Sequence, residues 1–228
     1  MKRSFAQIGP YTDKLHIDGY IHIKKAFKIP KTVLNECISQ ADKKSSAIFN
    51  HNETISKNDK KRKQTNLSIK KQYMKSFIDK VNDYLKINVN SNLNINNYVI
   101  IKSLPKCHDQ AAHCDYAQVG NILNVSNDFM PLSVLIALQP KTKLHVWPKS
   151  IHNKNKQMPK YIDKLTVEMN SGDMIIFRGD LVHAGAGYDE ENYRLHAYMD
   201  SQKVPRIHNR TWLIMKHADE EMKKRIRI

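Results

Sequence analysis

Apolar residues return every three or four positions in two stretches of this 228-residue chain. In "KTVLNECISQADKK" they are Val33, Leu34, Cys37, Ile38 and Ala41. In "QYMKSFIDKVNDYLK" they are Met74, Phe77, Ile78, Val81, Tyr84 and Leu85. That spacing gathers them on one side of a helix, so both segments read as amphipathic helices. Upstream, "DKLHIDGYIHIKKAF" alternates Leu15, Ile17, Tyr20, Ile21 and Ile23 around Gly19, which predicts an early strand with a break. Residues 51–71 are polar and basic without periodicity and read as an exposed loop.

From residue 97 the pattern shortens. "NYVIIKS", "AAHCDYA", "LSVLIALQ", "KLHVW", "KLTVEM", "DMIIFR", "LVHAG" and "YRLHAYM" are apolar or alternating, with turn residues between them. Eight such segments predict a double-layer antiparallel barrel or sandwich, with the two helices packed outside one sheet. "WLIMKHADEEMKKRIRI" reads as a final helix. The class is therefore α+β, mainly β, in a single domain spanning 1–228. Its parts are a mostly helical 1–96, a β core over 97–200 and a helical extension over 201–228. The Asn-rich stretch 88–97 is read as a linker inside that domain, and no internal repeat is present.

Composition narrows the setting. No apolar run approaches the ~18 residues of a membrane span, and "MKRSFAQIGPYTDK" lacks the apolar segment of a secretory signal. Three cysteines without Cys-x-x-Cys spacing argue against a disulfide framework or a thiolate zinc site, so a cytoplasmic or nuclear setting is expected. The formal charge of +16 would attract polyanions such as nucleic acid, or acidic protein surfaces. The abundance of Lys, Asn and Ile together also fits AT-rich coding, which would raise the charge without a partner.

Candidate chemistry centres on "AAHCDYA". Composition alone predicts about one His-x-acid pair, and four are present: His16/Asp18, His51/Glu53, His113/Asp115 and His217/Asp219. On a strand, His113 and Asp115 share a face while Cys114 takes the other. "GDMIIFRGDLVHAGAGY" supplies His183 on a later short strand. Two histidines and a carboxylate on one face of an ion leave open positions, the facial triad of non-heme Fe(II) oxygenases. Arg194 follows His183 by eleven residues, and its planar guanidinium suits bidentate capture of a carboxylate. The other three pairs lack such context and read as ordinary surface or strand chemistry.

With "HCD", "KLHVWPKSI" and "GDMIIFRGDLVHAGAGYDEENYRLHAYMD" in view, residues 97–200 resemble the Fe(II)/2-oxoglutarate-dependent dioxygenases, most closely the phytanoyl-CoA dioxygenase-like branch. "DGYIHIKKAF" also looks like a strand common in that branch. The resemblance implies a double-stranded β-helix (jelly-roll, cupin-like) core. It further implies iron on His113, Asp115 and His183, 2-oxoglutarate on Arg194, and O2 as the oxidant. Two departures stand out. His196 occupies a position where relatives often carry Ser or Thr, and "PKSIH" moves a histidine to His152. His196 shares a strand face with Arg194, so a part in 2-oxoglutarate binding and a packed histidine are both open.

Lesser residues have plainer readings. His145 and Trp147 read as wall packing, Asp173 and Asp180 as turn residues, Gly185 and Gly187 as enabling a sharp turn, and Cys114 as packing behind the metal site. The expected activity is hydroxylation of a macromolecular substrate, a protein side chain or a nucleic-acid base, with release of succinate and CO2. The alternatives are a non-catalytic basic barrel that binds nucleic acid or acidic partners through "KNDKKRK", and a small-molecule hydroxylase. A zinc-bearing variant also fits the ligands, whereas a halogenase would lack the carboxylate that Asp115 provides.

Overall fold

The computed structural model describes residues 12–47, 61–116, 121–151, 163–206 and 212–213. In chain order the elements begin with α1 (Thr12–Ile17), β1 (Tyr20–Ile23), α2 (Lys31–Lys44), β2 (Ser46–Ala47), β3 (Arg62–Asn66) and α3 (Gln72–Asn88). Then come β4 (Asn94–Ser103), β5 (His113–Cys114), α4 (Asn121–Asn124), β6 (Leu132–Ala137), β7 (Thr142–Val146) and β8 (Leu165–Met169). Last are β9 (Met174–Arg178), β10 (His183–Gly185), β11 (Asn192–Asp200) and β12 (Trp212–Leu213). All eight segments expected from residue 97 onward contain strands, and α2 and α3 lie where the apolar spacing puts them.

The strands form two antiparallel sheets. One has seven strands in the order β1-β9-β6-β11-β4-β3-β2, and the other five in the order β12-β5-β10-β7-β8. This is the jelly-roll, double-stranded β-helix arrangement, mainly β with few helices. Period-two alternation divides each central strand between two cores. Val134 and Ile136 of β6, Met174 and Ile176 of β9, and Leu195 and Met199 of β11 join the cluster that covers α2 and α3. Leu135 and Ala137, then Ile175 and Phe177, point the other way and meet Leu144, Val146, Val167 and Met169 of the facing sheet. The helices contribute Val33, Cys37 and Ala41 from α2 and Met74, Phe77, Ile78, Val81 and Leu85 from α3. Each of the large side chains adds about 1.5–3 kcal/mol by leaving water, so a charged residue at Val81, fully buried, would break the packing.

Three expectations need correction. The stretch around Leu15 and Ile17 is the short helix α1, not a strand; Leu15 is buried while Ile17 is 62% exposed, and Lys14 reaches Asp18 at 2.9 Å in the i,i+4 geometry of a helix. The segment read as an exposed basic loop contains β3 at its end, paired with β4 through Arg62↔Ser103 and Gln64↔Ile101. Trp212–Leu213, expected to begin a helix, is the edge strand β12 paired with Cys114 and His113 of β5. The rest of that helix, and residues 51–60 of the loop, lie outside the described residues, as do His51/Glu53, His152 and His217/Asp219. No helix among the described residues is long and apolar enough to cross a membrane.

Candidate metal centre and anion pocket

Residues of both sheets line one cleft, whose walls carry His113, Asp115, His183, Arg194 and His196. All five candidate residues from the sequence therefore meet in one place. The pairing of β10 with β5 sets His183 directly opposite His113, with ring centroids 4.5 Å apart. Asp115 follows β5 on the same side, and Cys114 turns behind it, its Sγ donating to the Asp180 carbonyl. One donor atom from each of His113, Asp115 and His183 lies within 4.8 Å of the others. A single small ion can draw together donors so spaced.

The tautomers suit a cation. Nδ1 of His113 is 2.8 Å from the Ala111 carbonyl, and Nδ1 of His183 is 3.0 Å from the Leu181 carbonyl. A carbonyl only accepts, so each Nδ1 carries the hydrogen and each Nε2 keeps its lone pair. Burial, with His183 beside it, pushes the His113 pKa down and keeps the ring neutral. Burial would raise the Asp115 carboxyl, but His183, His196, His113 and the Ser133 hydroxyl together hold it below the usual value. Oδ1 of Asp115 is 3.7 Å from His183 Nε2; Oδ2 accepts from Ser133 Oγ at 2.5 Å and lies 3.9 Å from His196 Nε2. No lysine or arginine pairs with this buried carboxylate among the described residues. A buried anion without a fixed cation beside two nitrogen lone pairs is a set of donors that a divalent metal fits.

The opposite need stands on β11. Arg194 is 2% exposed, donates to Ser103 Oγ at 2.9 Å and lies with its Cζ 5.3 Å from the Tyr188 ring centre. No acidic side chain among the described residues pairs with it. A guanidinium left this way asks for an anionic ligand with a planar carboxylate. His196, two residues on, is buried and pushed down to about 4, chiefly by that burial. It faces the outer oxygen of Asp115, while Ser103 on the neighbouring strand supplies the hydroxyl beside the arginine.

Several residues at the cleft escaped the sequence reading. Ser133 sits in the apolar run "LSVLIA", where a small polar residue gives no signal. Arg62 and Gln64 arrive on β3, whose inward positions are polar. Arg62, expected at the basic surface, is 1% exposed and donates to the Ala186 carbonyl at 2.7 Å. His145 and Trp147 do pack the wall: His145 Nδ1 is 2.9 Å from Thr166 Oγ1, and Trp147 joins Ala112, Cys114, Val182 and Ala184. Gly185 and Gly187 both sit at close approaches and neither has a positive φ; the clash at Gly187 is with backbone, that at Gly185 with the end of a side chain. A Cβ on Gly185 would come 2.3 Å from Gln110 Oε1, and one on Gly187 2.7 Å from the Cys107 carbonyl oxygen. Asp173 does hold a turn, accepting from the Lys25 and Asn170 amides, and Asp180 also lies in a turn, closed by the Leu181 amide on the Arg178 carbonyl, where it forms a buried two-point pair with Arg178.

The architecture has solved counterparts. A prolyl-4-hydroxylase from Pseudomonas putida shares 12% identity, covering 84% of this chain and 97% of its own, with a TM-score of 0.60. The non-heme alpha-ketoglutarate-dependent carbocyclase SnoK of nogalamycin biosynthesis shares 17% identity over 87% of each chain, also at 0.60. A Trichoplax adhaerens prolyl hydroxylase, solved with a hypoxia-inducible-factor peptide fragment, shares 13% identity over 84% of this chain and 88% of its own, at 0.55. No family model matches the chain, and no curated protein does. What the likenesses establish is the fold, a double-stranded β-helix of the kind found in iron and 2-oxoglutarate enzymes. Within that fold, the site is a two-histidine, one-carboxylate cluster beside a buried arginine.

Proposed function

We propose that this protein is an Fe(II)- and 2-oxoglutarate-dependent oxygenase that hydroxylates a macromolecular substrate. One observation carries the reading: a buried carboxylate and a buried guanidinium, neither paired with an opposite charge among the described residues, line the same cleft, with two Nε2 lone pairs beside the carboxylate. A divalent metal and a dianionic keto acid answer both needs together. When bound, iron and 2-oxoglutarate supply the oxidising chemistry, in which O2, the keto acid and a C–H bond give succinate, CO2 and a hydroxylated product.

The chain's own residues set the stage for that chemistry. His113, Asp115 and His183 would hold the metal, with the Ala111 and Leu181 carbonyls keeping both rings in the liganding tautomer. Ser133 occupies the outer oxygen of Asp115 and leaves the other for the ion. Arg194, steadied by Ser103, would take the far carboxylate of 2-oxoglutarate. Leu135, Leu144, Ile101 and Phe177 make the surrounding wall apolar and keep water from the reacting atoms.

The motif pieces "HCD" and "GDMIIFRGDLVHAGAGY" favour the phytanoyl-CoA dioxygenase-like branch. For the second substrate, the +16 charge favours an acidic or nucleic-acid partner, while a peptide-bound prolyl hydroxylase among the structural counterparts favours protein. The test is calorimetry with Mn(II), then 2-oxoglutarate, followed by a succinate assay with Fe(II) against fractionated cell protein, nucleic acid and metabolites. Saturable binding of one metal and one keto acid is expected. A protein that binds neither overturns the reading.

A further inference from the structure

We propose that Gln64 and Gln110 form an amide-reading pair on opposite walls of the cleft, and that the second substrate is a polypeptide whose side chain reaches the metal centre. The inference rests on the oxygenase reading above. Gln64 comes from β3 of the seven-stranded sheet and lines the cleft. Its carboxamide makes no hydrogen bond to any described residue. Gln110 lines the facing wall, where its main-chain N–H donates to the Gly185 carbonyl at 2.8 Å and its Oε1 accepts from the Gly185 N–H at 2.9 Å. That double contact fixes the side chain and leaves Nε2 with no partner among the described residues. A carboxamide carries donor and acceptor in one plane. Two of them flanking a cleft complement the N–H and C=O of a peptide unit.

Two other substrate classes fit less well. An anion would need a free cationic fork at the same wall, and Arg62 is the cation there. Its Nη2 donates to the Ala186 carbonyl at 2.7 Å and the His108 carbonyl at 3.2 Å, so the guanidinium acts as a strut between β3 and the opposite loops. A nucleic-acid base would need an aromatic platform on which to stack. The two aromatic rings of the cleft are already engaged. Phe177 lies 4.6 Å from the His183 ring, and Tyr198 carries the Arg206 guanidinium at 3.8 Å and the edge contact of His196 at 4.7 Å. Neutral amide recognition is what remains.

The test uses the full-length protein with Fe(II), 2-oxoglutarate and O2. One probe is a pool of acetylated and amidated pentapeptides whose central position covers all the common amino acids; the other is mixed-sequence single-stranded RNA and DNA. Peptide-dependent succinate release is expected, with a peptide product heavier by one oxygen. Gln110→Glu keeps the acceptor used by Gly185 and loses the donor, and Gln64→Leu loses both functions. Each should raise KM for the reactive peptide about three- to tenfold, the worth of one hydrogen bond, and affect kcat less. Gln64→Asn, which keeps the amide but shortens its reach, stands in should the leucine variant not fold. Stimulation by oligonucleotide alone, by no peptide in the pool, or an unchanged KM in both variants overturns the assignment. Mn(II) and 2-oxoglutarate binding by the wild type separates the cases. Binding without peptide stimulation removes only this inference, whereas loss of binding removes the oxygenase reading beneath it.

Discussion

The hydroxyl of Ser133 lies 2.5 Å from Oδ2 of Asp115, the carboxylate oxygen that does not face His183. Ser133 thereby decides which oxygen is free for a metal. Ser133→Ala should weaken Mn(II) binding about tenfold, the lower end of what a supporting hydrogen bond to a ligand is worth, and Ser133→Thr should restore it. Titration of metal-free protein reads the effect without turnover. Equal affinity in the alanine variant would remove Ser133 from the site.

Arg194 is buried, charged and without an acidic partner among the described residues, so its substitution should show two opposite effects. Arg194→Lys should weaken 2-oxoglutarate binding about tenfold, since a point charge does not reproduce the two-point fork. Arg194→Met should abolish that binding and at the same time stabilise the ligand-free protein by about 1 kcal/mol or more, because an apolar side chain of similar length removes a buried charge. Calorimetry and urea denaturation measure the two sides. A methionine variant that still binds the keto acid like the wild type would show that the carboxylate sits elsewhere.

Asp109 gives the pH dependence. His145 Nε2 lies 3.0 Å from its Oδ1, Lys164 lies 3.4 Å from its Oδ2, and the Gly187 amide donates to it. The carboxyl is held well below its ordinary value of 3.8, first by His145. A folded-state value that is depressed contributes stability that is complete above the unfolded value and is lost as pH falls below it. Asp109→Asn should therefore cost about 0.5–1 kcal/mol at neutral pH, discounted for a side chain nearly half exposed. The gap from the wild type should narrow in urea titrations run well below the ordinary carboxylate value. A gap that widens on acidification would contradict the sign.

Cys37 and Cys114 should be inert in the native protein. Burial pushes the Cys37 thiol up to about 12 and raises Cys114 as well, and both are fully buried. Only the thiolate reacts. Iodoacetamide should modify both at the rate of unfolding, as followed by mass spectrometry with and without urea. Rapid modification of Cys114 in native protein would show that the back of the metal site opens.

The parts legible in the sequence are those where burial alternates with exposure or where spacing matches a helix turn. Val134 and Ile136 face the helices while Leu135 and Ala137 face the other sheet, so β6 reads as a continuous apolar run. The facial set was legible because His113 and Asp115 share a strand face and Arg194 follows His183 at a hairpin's distance. β3 was not legible, since "RKQTN" has no apolar alternation. Its inward residues, Arg62 and Gln64, are polar because they face a cleft and not a core. α1 was missed because spacing of two in so short a segment fits both a strand and a single helical turn with one buried residue. Ser133 was invisible for a different reason: its partner is nearly twenty positions away, and only the fold brings them together.

The strand order places β3 near the outer margin of the seven-stranded sheet, beyond β4, whereas the residues that would hold metal and keto acid sit on or beside β5, β10 and β11. On the proposed reading, Gln64 thus stands on a strand apart from the metal site, while Gln110 is held against Gly185 of β10 within it. Arg62 ties β3 to the opposite loops through its side chain, whereas the Gln64 carboxamide makes no hydrogen bond to any described residue, so position 64 can change without disturbing the residues that would hold the metal. If Gln64 reads the target, divergence there would offer an evolutionary route to a new one at little cost to the reaction, and a laboratory library confined to residues 63–66, which spares Arg62, would sample that route directly.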